Sequence, residues 1–183
     1  HLSLRRQRQM CIRDRVYHPQ LAELIDLVDA HPEVRVVLNH MGGRAGLGPY
    51  AADPAATFAQ WAAGIRELAK RPQVSIKIGG IGMRLGGFGF HDRDLPPTSA
   101  ELAEAWRPSF EVCLEAFGPA RAMCESNFPV DKSLCSYRTM WNTFKRLAAP
   151  LSSDERAALL AGTAVRTYRL PAALAQRAPE HTA

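Results

Sequence analysis

The sequence predicts an α/β fold in which a parallel sheet is wrapped by helices. Short β-branched apolar runs alternate strictly with amphipathic helical stripes, and each run ends in glycine or polar residues rather than in a hairpin turn. Size agrees, because 183 residues with 46% hydrophobic content suffice for one ordinary core.

The pattern starts at Val16. His18-Pro19 opens a segment with Leu21, Leu24, Ile25 and Val28 on one helical face, with proline suited to the first turn, and the segment closes near His31-Pro32. Residues 34–38 form a strand that finishes in Asn39-His40. Residues 41–53 hold four glycines and read as a loop, after which Asp53-Pro54 supplies an N-cap and a first-turn proline. Phe58, Trp61, Ile65 and Leu68 then share a helix face.

Residues 73–78 are the next strand, running into Gly79-Gly80. The long loop 81–97, with Phe88, Phe90, His91, Asp92 and Arg93, has the length of a functional lid. Thr98 and Glu101 form a capping box for a helix to about Phe117, with a bend or restart expected at Pro108. Residues 121–125 are a third strand, and alternation places Glu125 and Asn127 on one face. Helices over 137–147 and from Ser152/Glu155 to about Tyr168 complete the order, and 171–183 reads as a flexible tail.

The formal charge of +5 does not mark a nucleic-acid binder. Residues 1–15 hold five arginines against Asp14, a balance of +4, so the remaining 18 basic and 17 acidic side chains leave only +1. Residues 9–15 also back-translate to a sequence resembling a transposon-end adapter used in sequencing libraries. We therefore expect 1–15 to be a non-native leader, the alternative being a native basic arm. Cys11, Cys113, Cys124 and Cys135 are too few and too far apart for a disulfide framework or a C-x-x-C pair. No apolar run is long enough to span a bilayer, and a cytoplasmic protein acting on a small molecule, with no nucleic-acid or membrane partner, is the expectation.

Ligands of such folds sit at the carboxyl ends of the strands. That edge should carry His18, Asn39 and His40, Lys77 and Gly79, then Glu125 and Asn127. His18 and His40 can hold a divalent metal, or can be two unrelated histidines. Lys77, between Ile76 and Ile78, must snorkel outward or pair with an anion. Glu125 can be a general acid/base or a rim ion-pair partner. No G-x-G-x-x-G, P-loop or G-x-S-x-G pattern is present.

Several segments together resemble one family, the amidohydrolase-related (amidohydrolase family 2) TIM-barrel hydrolases of the lactonase-like branch. Val36-Val37-Leu38-Asn39-His40-Met41-Gly42-Gly43 is similar to that family's sixth strand, and Val74-Ser75-Ile76-Lys77-Ile78-Gly79-Gly80 to its seventh. Residues 117–130 are similar to the eighth strand, and 162–168 to the closing helix. The resemblance implies the C-terminal portion of a (β/α)8 barrel over 16–170, from the end of strand 5 to strand 8, so that the chain is a fragment of a longer enzyme.

It also implies hydrolysis of a small, anionic lactone or amide by activated water, with a divalent, zinc-class metal at His18 and His40. Two departures bear on this: the first-strand H-x-H is absent, and Asn127 stands where the family has aspartate. The base role then falls to Glu125 with Asn127 assisting, while Lys77, His91 and Asp131 bind substrate. An inactive truncated fragment, and a decarboxylase or metal-independent member of the same barrel family, are the alternatives.

Overall fold

The computed structural model describes residues 11–14, 16–171 and 173. Four strands, β1 (Cys11–Asp14), β2 (Arg35–Leu38), β3 (Val74–Ile78) and β4 (Ala122–Cys124), form a sheet in the order β1-β2-β3-β4. Every pairing is parallel, with Ile12 opposite Val36, Leu38 opposite Ile76, and Ile78 opposite Cys124. All strands thus finish on one edge, where the chain carries its polar residues. Of the expected leader, residues 11–14 form β1, and 1–10 and 15 lie outside the described residues, as does most of the tail.

The helices are α1 (Leu21–Ala30), α2 (Pro54–Ala69), α3 (Ser99–Phe117) and α4 (Tyr137–Ala148), followed by α5 (Ser153–Ala157) and α6 (Thr163–Tyr168). Their starts obey local chemistry. Asp53 accepts from the Ala56 amide, and Thr98/Glu101 and Ser152/Glu155 close reciprocal capping boxes. Each of α1–α3 packs on its successor. Trp61, Ile65, Leu68, Trp106, Phe110 and Phe144 are buried there with Val74, Ile76 and Ile78 of β3. Burial alternates along β3, so Ser75 and Lys77 lie half-buried on the other face.

Two expectations change. The helix over 99–117 does not restart at Pro108 but runs through it, forgoing only the hydrogen bond that proline cannot donate. The last helix is split, because Ala158–Gly162 widens into a π-turn between α5 and α6. No helix among the described residues is long and apolar enough to cross a membrane.

Candidate active site

Beyond β2 the backbone reverses its hand. His40, Met41, Gly42 and Gly43 have φ of 53°, 55°, 67° and 53°, a left-handed turn in which only two residues are glycine. Left-handed backbone costs roughly 1–2 kcal/mol per ordinary residue, so other contacts must hold it. Trp61 Nε1 donates to the Met41 carbonyl at 2.7 Å, and the Gly43 amide donates to the His40 carbonyl at 2.9 Å. Gly43 also lies against the chain entering α1, where a Cβ would stand 2.6 Å from the Val16 carbonyl oxygen. The turn aims the His40 ring toward the end of β4.

There it meets Glu125. His40 Nδ1 lies 2.6 Å from Glu125 Oε1, and the His40 amide donates to the same oxygen at 3.2 Å. The other carboxylate oxygen pairs with Lys77 Nζ at 3.2 Å, and these side chains are only 14–18% exposed. Burial pushes the Glu125 carboxyl up, but the bond and charge of His40 and the charge of Lys77 outweigh it and hold the group below the usual carboxylate range. With Nδ1–H donated to Glu125, a neutral His40 ring keeps its lone pair on Nε2.

Gly79 and Gly80 make the room. A Cβ on Gly79 would overlap the Glu125 backbone, and one on Gly80, at φ +64°, would overlap His40 Nδ1. Gly80→Ala should therefore cost about 2–3 kcal/mol in urea unfolding. A variant within about 0.5 kcal/mol of the parent, the usual range of an unconstrained surface substitution, would contradict this packing.

Asn127 and Asp131 form a second group. Asn127, at φ 52°, has left the strand, so it does not share a face with Glu125 as alternation predicts; its Nδ2 donates to Asp131 Oδ1 at 2.9 Å. Asp131 is 1% exposed, and its Oδ2 faces Gly82 without completing a hydrogen bond. Burial is the main cause that raises the Asp131 carboxyl to about 6, against the lowering effects of Asn127, His40 and the Gly82 amide. A carboxyl this enclosed is not open to a substrate arriving from solvent. His91 sits in the 81–97 loop, where Arg84 bonds its carbonyl and Asp92. No hydrogen bond or ion pair among the described residues joins its ring to Lys77 or Glu125.

The model of the Amidohydro_2 family, described as amidohydrolase, matches residues 9–170. The chain belongs to that family. It is 35% identical over 155 residues to an uncharacterized protein, y4mH, of Sinorhizobium fredii, covering 85% of this chain and 46% of that one. It is 32% identical over 165 residues to an L-fucono-1,5-lactonase of Burkholderia multivorans, covering 85% of this chain and 50% of the lactonase. A zinc-bound amidohydrolase from the same organism superposes with a TM-score of 0.71 at 30% identity, over 88% of this chain and 53% of the other. The chain spans about half the length of the curated relatives it matches. Its α/β fold with a parallel sheet matches those TIM-barrel neighbours over that half.

A family metal is tested by the donors this amidohydrolase chain presents. His18 is 4% exposed, and its Nδ1 accepts from the Ala45 amide at 3.2 Å. The neutral ring therefore carries its proton on Nε2, which is a donor rather than a metal ligand. Burial and the neighbouring Arg44 charge hold the ring below its ordinary pKa, partly offset by the Gly43 carbonyl. No group of three or more histidine, cysteine or acidic side chains suited to a metal occurs among the described residues. Of the two expected ligands each has its Nδ1 engaged, His18 by the Ala45 amide and His40 by Glu125, and no third metal donor joins them among the described residues.

Arg44 escaped the sequence reading altogether. Its guanidinium lies 5.7 Å from the Phe58 ring centroid and 5.1 Å from that of Phe88, and it shares a cavity of about 20 Å³ with His40. The signal was there: no acidic residue occurs between His40 and Asp53, so a lone arginine stands in a glycine-rich loop without a nearby counter-charge.

Proposed function

We propose that the protein is a hydrolase that opens a small, anionic lactone, or cleaves the corresponding amide, with water activated by His40. The chain then supplies the strand 5 to strand 8 half of a (β/α)8 barrel. The supporting observation is the 2.6 Å contact between His40 Nδ1 and Glu125. A carboxylate bound to one ring nitrogen fixes the tautomer and leaves the other nitrogen as the base. The lactonase named among the relatives favours an ester-type ring as substrate.

In this scheme a water oxygen attacks the lactone carbonyl as its proton passes to His40 Nε2. The ring C–O bond then breaks, and the departing oxygen takes the proton back, giving the open hydroxy acid. Glu125 balances the transient imidazolium and Lys77 keeps Glu125 ionised, so the expected base acts as an orienting group instead.

The test is pH-stat hydrolysis of 1,5-lactones of six-carbon aldaric acids, which keep a free carboxylate, comparing the parent with Glu125→Gln. Glutamine can still accept from His40 but leaves Lys77 without its counter-charge. We expect turnover lowered by roughly 10- to 100-fold and stability lowered by about 2–4 kcal/mol. Parent rates no faster than spontaneous ring opening, or full turnover by Glu125→Gln, would refute the reading.

A further inference from the structure

Arg44 is a partly buried cation whose polar edge is unfinished. The two phenylalanine rings occupy positions over its guanidinium, but its buried Nε has no hydrogen-bond partner, and no acidic side chain among the described residues pairs with it. Burial lowers its pKa, yet arginine stays charged. Cation–π contact alone accounts for the ring faces and leaves the in-plane N–H groups unanswered.

A second donor stands beside it. Ala45, next to Arg44 in the chain, holds the His18 ring by Nδ1, and the buried His18 Nε2 has no hydrogen-bond partner either. An ordinary core would place a carboxylate among such donors. Here the acids nearest the site are engaged elsewhere, Glu125 by His40 and Lys77, and Asp131 by Asn127. Lys77, expected to bind the substrate's anionic group, is thereby neutralised within the protein.

We propose that Arg44 is the carboxylate-recognition residue of the site and takes an acid group of the ligand beside His40, with which it lines a common cavity. The assignment rests on the hydrolase reading for its location, and it specifies the ligand as a sugar acid or comparable hydroxy acid rather than a neutral sugar. Arginine suits the task because its planar fork binds both oxygens of a carboxylate, and stacked rings hold the fork flat.

The experiment is calorimetric titration of the full chain with a six-carbon aldonate, the matching alditol, and inorganic phosphate. The aldonate should bind, the alditol should bind at least about tenfold more weakly, and Arg44→Met should lower aldonate affinity by a similar factor. Arg44→Lys, which keeps charge but loses the fork, should fall between. Arg84→Met serves as control, because Arg84 is exposed and paired with Asp92.

Equal affinity for aldonate and alditol in the parent overturns the proposal without recourse to any variant. So does phosphate binding more tightly than aldonate, absence of aldonate binding, or a folded Arg44→Met that retains parent affinity. Because binding needs no turnover, failed hydrolysis sinks the hydrolase reading alone, and Arg44-independent aldonate binding sinks this one alone.

Discussion

His40→Asn should lower lactone turnover by about 10²–10⁴-fold while leaving the fold in place. Asparagine tolerates left-handed backbone, so the substitution respects the φ of 53° that alanine or valine would strain. Its amide can still reach Glu125, which keeps the carboxylate from being stranded. What disappears is the ring nitrogen lone pair on Nε2 that can accept a proton. Pre-steady-state and steady-state rates on the same lactone, with unfolding midpoints measured in parallel, separate chemistry from stability. Turnover within about threefold of the parent, well short of a lost general base, would remove His40 from the role of base.

Asp131→Asn should stabilise the protein near neutral pH. The Asp131 carboxyl is raised from 3.8 to about 6, a difference of about 2 units, equivalent to a ceiling of about 3 kcal/mol. The sign follows from proton counting. The unfolded chain gives up this proton first, so ionisation favours unfolding between the two values, and the penalty is complete above about 6 and absent below about 4. Loss of the attractions to His40 and Gly82 trims the gain to roughly 1–3 kcal/mol at about pH 7, with none at about pH 3.5. Urea unfolding at both values is the measurement, and a variant no more stable than the parent at the higher pH would show that Asp131 is not strained by burial. A site that keeps such a group at a cost to stability follows the usual trade between stability and function.

The elements were readable from sequence wherever chemistry is local. Asp53, Thr98 with Glu101, and Ser152 with Glu155 cap the helices they were expected to cap, because a cap depends on residues three positions apart. The strands followed from β-branched apolar runs. Of the bend or restart expected at Pro108 the restart does not occur, since burial of Trp106 and Phe110 on either side of it outweighs one lost hydrogen bond.

The site was legible in composition but not in pairing. Lys77 was expected to snorkel outward or to pair with an anion, and its partner follows from register: Lys77 lies opposite Met123, which brings Glu125 just past the strand end within reach. The metal expectation for His18 turned on a backbone amide, that of Ala45, which no side-chain motif reports. Asn127 left the face it was assigned because the chain turns at its positive φ.

The order of strands has a kinetic consequence. β3 lies between β2 and β4, so Glu125 reaches His40 across a whole intervening strand, over the two glycines that end it. Each neighbouring pair in the sheet can close as one βα unit of modest loop length, whereas this bond requires two such closures in succession. The His40 amide, which donates to Glu125, is accordingly a reporter of assembly. Its hydrogen exchange should become slow only after β4 has docked, later than the amides of the β2–β3 ladder, so the His40–Glu125 pair is among the last features of this sheet to acquire protection as the chain folds.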